Sequence, residues 1–144
     1  MTALLCSRIP VGSDCLIGLK SNLAAMFDLS GDERSQILQL AERNLLRIVA
    51  YTRGGRGSLL FSEGRWSEHP SFPTKIADTV GAGDSFTAAL ALGVLAGWPL
   101  DDIHRRASEV AAYVCSKPGA TPELPERLRA PFLAVRPDNP QVTL

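Results

Sequence analysis

The sequence predicts an α/β fold with a mainly parallel sheet plus a β-hairpin, and three observations carry that prediction. Short apolar runs flank a helix-patterned stretch between Cys15 and Thr52, an order that favours parallel pairing. Two further runs are separated by the turn residues Glu63-Gly64, as in a hairpin. Gly83 to Ala96 is apolar on nearly all sides, which describes a helix buried in a larger body. The 144 residues are one domain's worth, and 45% hydrophobic with 21% charged residues excludes wholesale disorder.

Taken in order, Cys15-Leu-Ile-Gly-Leu19 reads as a buried strand ending at Lys20-Ser-Asn22. Ser30 is placed to cap the next helix, with Glu33 completing a capping box and Ile37, Leu40 and Ala41 forming its apolar stripe. Leu45 to Thr52 is the next strand. Ser58–Ser62 and Arg65–His69 are the arms of the hairpin, and Pro70 and Pro73 punctuate its exit. Lys75 to Ala77 leads into Asp78, and Gly97 and Pro99 stop the apolar helix that follows. Asp101 or Asp102 is expected to cap a last helix in which Ile103, Ala107, Val110 and Val114 fall at helical steps. Lys117 to Pro122 ends the ordered pattern. Residues 1–14 read as an atypical amino-terminal segment, 15–133 as the domain and 134–144 as a flexible tail.

Fifteen Lys/Arg balance fifteen Asp/Glu, which argues against a nucleic-acid partner held by bulk positive field. The longest apolar run is too short to span a bilayer, and Met1 to Cys6 lacks the basic start of a signal peptide, so no membrane is expected. Cys6, Cys15 and Cys115 are odd in number and far apart, neither a disulfide framework nor a zinc site, as fits a cytoplasmic location. His69 and His104 have no metal or triad spacing and read as surface residues; no residue is assigned as a metal ligand. The chain has no Gly-x4-Gly-Lys-Ser/Thr loop, and Gly81-x-Gly83-x-x-Phe86 lacks the third glycine of a dinucleotide fingerprint.

The chemistry concentrates at Asp78-Thr-Val-Gly-Ala-Gly-Asp84. Gly81, Ala82 and Gly83 are small, and their amides stand at a helix N-terminus, where unpaired N–H groups and the helix dipole favour an anion. Asp84 falls in the first turn. A carboxylate there stabilises a helix by itself, but that does not explain the Gly-Ala-Gly before it. A proton acceptor beside an anion hole is what phosphoryl transfer requires.

Asp78–Asp84 followed by Ser-Phe-Thr-Ala-Ala-Leu resembles the signature of the ribokinase-like (PfkB) carbohydrate kinases. The resemblance implies a ribokinase-like three-layer αβα fold, of which this chain would be the C-terminal half. It implies Asp84 as catalytic base and Gly81, Ala82 and Gly83 as the anion hole. Thr52-Arg-Gly-Gly-Arg-Gly57 resembles the family's Thr-x-Gly-x-x-Gly turn, which gives Thr52, Gly54 and Gly57 a nucleotide-binding role. Asn22 resembles the start of an Asn-x-x-Glu motif linked to Mg2+ and phosphates, although Ala25 stands where Glu is expected. Ser108 lies on a small-residue helix like the one lining the adenine pocket. Lys117-Pro-Gly-Ala120 resembles a closing loop that encloses a monovalent cation in some members. Through it the resemblance assigns K+ to Asp78, Val80 and Gly119.

The function so implied is transfer of the ATP γ-phosphoryl group to a small sugar's hydroxyl, with ATP and Mg2+ as cofactors. Family members are about twice this length, so the reading includes a truncated copy, a fragment or a mis-called start. The alternative function is a nucleotide- or anion-binding remnant without turnover, whose exposed sheet edge is covered by self-association or a partner chain. A third option is a folding-incompetent product.

Overall fold

The computed structural model describes residues 16–20 and 27–134. The chain divides into two compact units at Glu68/His69. The first holds a four-stranded sheet in the order β1 (Leu16–Lys20), β2 (Ile48–Thr52), β3 (Ser58–Ser62) and β4 (Arg65–His69, which ends on the second unit's first residue). Among the described residues, the helix α1 (Glu33–Asn44) packs on it.

Only β1 and β2 run parallel, in the register Leu16 to Ile48 through Lys20 to Thr52. Strand β2 pairs antiparallel with β3, Thr52 opposite Ser58 and Ile48 opposite Ser62, and β3 turns straight into β4 at Glu63-Gly64. The expectation of a mainly parallel sheet is therefore corrected. The reason lies in the connections: α1 gives β1–β2 its crossover, whereas β2 and β3 are joined only by residues 53–57, far too few for a parallel return.

The core of this unit follows from strand alternation. Val49, Tyr51, Leu59 and Phe61 share one face and meet Ile37, Leu40 and Ala41, the predicted stripe of α1, together with Leu29. Ala50 and Leu60, on the opposite face, are buried as well. The cap of α1 differs from expectation. Asp32 rather than Ser30 is the N-cap, its carboxylate accepting from the Ser35 amide at 2.9 Å, while the Ser30 carbonyl accepts from Gln39 Nε2. Asp32 sits three residues before the donor, the spacing that caps require.

The second unit is helical: α2 (Ala82–Leu95), α3 (Leu100–Cys115) and α4 (Glu126–Leu133). Helix α2 buries one face, Phe86, Ala89, Leu90 and Gly93, and leaves Leu92 and Leu95 exposed, so it is not enclosed on all sides as its composition suggests. Helix α3 buries the predicted Ile103, Ala107, Val110 and Val114. Its N-cap is Pro99, with Asp101 and Asp102 in the first turn, where they complement the dipole without capping.

Helix α4 lies beyond the expected end of order. Three nearby prolines (Pro118, Pro122, Pro125) hide it in the sequence, although proline is well tolerated at a helix entry. His104, expected at the surface, is wholly buried, its ring edge-on to Phe86 and His69, and His69 itself is half-buried. Imidazole's apolar body suits the inner stripe of α3, which is wider than the four residues that predicted it.

Candidate active site

The chain enters α2 through a turn that only glycine accommodates. Gly81 is the N-cap with φ 80°, and a Cβ there would collide with the backbone carbonyl of Ala120. No side chain caps the helix. The first-turn amides, at Ala82, Gly83 and Asp84, belong to the group that has no intrahelical acceptor. Gly83 is exposed, with open space where a side chain would stand, and Asp84 presents an exposed carboxylate from the same turn. The hydroxyls are turned inward: Ser85 Oγ donates to the Gly81 carbonyl at 2.8 Å and Thr87 Oγ1 to that of Gly83 at 2.9 Å. They leave the N-terminal face to the amides and to Asp84.

A second segment is fastened to this turn. The amides of Ala77 and Asp78 both donate to the Cys115 carbonyl at the end of α3, at 2.8 and 3.2 Å. The Asp78 carboxylate accepts from Val80 N–H at 3.0 Å and, across the chain, from Gly119 N–H at 3.3 Å. These bonds hold the Asp78 carboxyl below its ordinary pKa, the Val80 amide contributing most. The Cys115 thiol is pushed up by burial and by the nearby Asp78 charge, which makes it a poor nucleophile at neutral pH. Asp78, Val80 and Gly119 are thus brought together, with Gly81 packed on the adjoining Ala120.

Ser108 stands on α3 with its hydroxyl oxygen buried and without a hydrogen-bond partner. Such an orphan calls for an explanation, of which an incoming ligand is one. Asn22 and Ala25 lie outside the described residues.

In the first unit, Thr52 ends β2 and the chain turns through a short 3-10 stretch, Gly54–Arg56, into β3. Gly57 closes the turn at φ 90°, ψ −147°, with its amide bonded to the Gly54 carbonyl and its own carbonyl accepting from Arg53 N–H. Arg53, a variable position of the motif, reaches two carboxylates outside the turn. Its guanidinium meets Glu33 at 3.4 Å and Glu68 at 2.8 Å. The motif pattern gives no role to Arg53 or to the backbone carbonyls of Cys115 and Ala120. A backbone acceptor leaves no mark in side-chain identity, whereas an arginine inside a glycine turn was a readable signal.

The profile of the pfkB family of carbohydrate kinases matches residues 3–127. The match runs through almost the whole chain, so the expectation of a resemblance confined to a C-terminal half and starting at Cys15 is corrected.

Among curated relatives, the 5-dehydro-2-deoxygluconokinase of Bacillus thuringiensis (strain Al Hakam) is 31% identical over 119 residues, 80% of this chain and 36% of that kinase. The chain thus spans about a third of that relative's length. Of solved structures, Escherichia coli phosphofructokinase-2 in complex with potassium superposes with a TM-score of 0.70 at 18% identity, over 83% of this chain and 40% of that one. Arabidopsis thaliana ribokinase complexed with ribose and ATP gives 0.67 at 24% identity, over 83% and 40%. These two likenesses establish a shared fold, and the fold, the signature turn and the match over residues 3–127 lead to one conclusion: the chain belongs to the pfkB family of carbohydrate kinases.

Proposed function

We propose that this chain carries the phosphate-binding and proton-accepting part of an ATP-dependent carbohydrate kinase. The observation that carries the reading is the exposed Asp84 carboxylate in the first turn of an uncapped helix whose entry is shaped by Gly81. In the proposed step, Asp84 takes the proton of a sugar hydroxyl while that oxygen attacks the γ-phosphorus of ATP. The bond from the γ-phosphorus to the β,γ-bridging oxygen breaks, ADP leaves, and the product is a sugar phosphate. The amides of Ala82 and Gly83 offer hydrogen bonds to the phosphoryl oxygens as charge builds there. Thr52, Gly54 and Gly57 would hold the nucleotide phosphates, and the orphan Ser108 hydroxyl would find its partner on the base.

Among the described residues no trio of His, Cys, Asp or Glu is placed to hold a metal. Mg2+ would be carried in on the nucleotide phosphates, where it would neutralise charge and keep several of its waters. A K+ ion would take oxygen atoms from the Asp78, Val80 and Gly119 cluster, two of whose amides the Asp78 carboxylate already organises.

Calorimetric titration with ATP, beside an ADP-release assay over a panel of sugars, tests the proposal on the wild-type chain and on Asp84→Asn. The variant should bind ATP as the wild type does, while sugar-dependent ADP release falls about 10²–10⁴-fold. ATP binding with no release on any sugar would identify a nucleotide-binding remnant. Undiminished turnover in Asp84→Asn would remove Asp84 as the base.

A further inference from the structure

Arg53 occupies a place in the Thr52–Gly57 turn that glycine geometry alone does not explain. Its side chain is only 13% exposed, yet it carries a full charge. One terminal nitrogen meets Glu33, in the first turn of α1, and the other meets Glu68, on β4. The third nitrogen, Nε, is buried without a hydrogen-bond partner. A guanidinium that leaves one donor unsatisfied is held in place by its other two. Glu33 also draws in Arg56, from the same turn, at 3.7 Å, and Glu68 meets Arg34 at 3.3 Å. The turn is thereby roped to a helix and a strand that are remote from it in sequence. The same residue closes the turn through its backbone, Arg53 N–H donating to the Gly57 carbonyl at 2.8 Å.

We propose that Arg53 is the positioning residue of the Thr52–Gly57 turn, fixing its phosphate-facing backbone through Glu33 and Glu68 rather than touching phosphate itself. The inference rests on the reading of that turn as a nucleotide-phosphate contact. Glu33 and Glu68 engage both of its terminal nitrogens, so the contribution proposed for Arg53 is geometric. A planar fork spans two acceptors at once, which a lysine ammonium does not match.

The test is titration of the full chain with ADP, comparing Arg53→Met, Arg53→Lys and the double variant Glu33→Gln/Glu68→Gln, with far-UV circular dichroism to verify folding. Arg53→Met should weaken ADP binding about tenfold, a difference of roughly 1.4 kcal/mol. Arg53→Lys should recover part of that loss. The double variant decides between positioning and contact. It makes the region more positive by two charges, so a direct arginine–phosphate contact would tighten binding, whereas loss of positioning weakens it several-fold. Tighter or unchanged binding in the double variant overturns the proposal while leaving the phosphate-turn reading intact. Failure of the wild-type chain to bind ADP overturns both.

Discussion

The half-buried Asp78 ties two segments of the chain together through backbone hydrogen bonds. Both of its oxygens accept backbone N–H groups, at Val80 and Gly119, and its pKa is lowered because those bonds favour the ionised form. A depressed carboxylate pKa contributes stability that is complete above the ordinary value of 3.8 and is lost as pH falls through the lowered one. The tether to Gly119 is therefore intact at neutral pH and opens in acid. Asp78→Ala should raise amide exchange at Val80 and Gly119 at neutral pH; protection equal to wild type would show that the carboxylate does not hold the loop. At this scale the signature residues were legible because Gly81, Ala82, Gly83 and Asp84 declare themselves by type and order. The ion pairs of Arg53 and the contact at the Ala120 carbonyl are not. The partners of Arg53, Glu33 and Glu68, are scattered along the chain, and the carbonyl belongs to the backbone.

Helix α2 is the element on which the candidate site depends, and its entry admits no side chain at Gly81. Gly81→Ala faces a left-handed backbone, a cost of order 1–2 kcal/mol, and also the Ala120 backbone. The variant should melt at lower temperature, and its ADP binding should fall more than an equally destabilising core substitution such as Leu90→Ala would cause. Equal losses in the two variants would mean that the turn matters only for stability.

Element types and order were readable from periodicity: the hairpin arms Ser58–Ser62 and Arg65–His69 fall where the sequence puts them. Strand direction was not readable in the same way: the strand–helix–strand pattern ends at Thr52, and the short Thr52–Ser58 connection sets the antiparallel return. Caps were equally hard to place, because Ser30, Asp32, Asp101 and Asp102 are all chemically fit for the role and only backbone geometry selects among them.

The whole molecule carries no net charge, with a sequence pI near 6.7, and exposes large apolar side chains at Leu45, Ile76, Val80 and Leu133. Without net repulsion such side chains meet freely. Light scattering from the purified chain should therefore peak near pH 6.7 and fall on either side. A flat profile would show that charge does not govern its association.

The fastening of Asp78 to Gly119 joins positions 41 residues apart and returns the chain to its own starting point after α2 and α3. Closing such a loop costs only about 0.6 kcal/mol more than closing one half as long. Among the described residues, the hydrogen bonds of Ala77, Asp78 and Gly119 and the close approach of Gly81 to Ala120 all lie within residues 77–120. Pairings of smaller sequence separation close at lower entropic cost. During synthesis, then, these contacts have all their parts once Ala120 has left the ribosome.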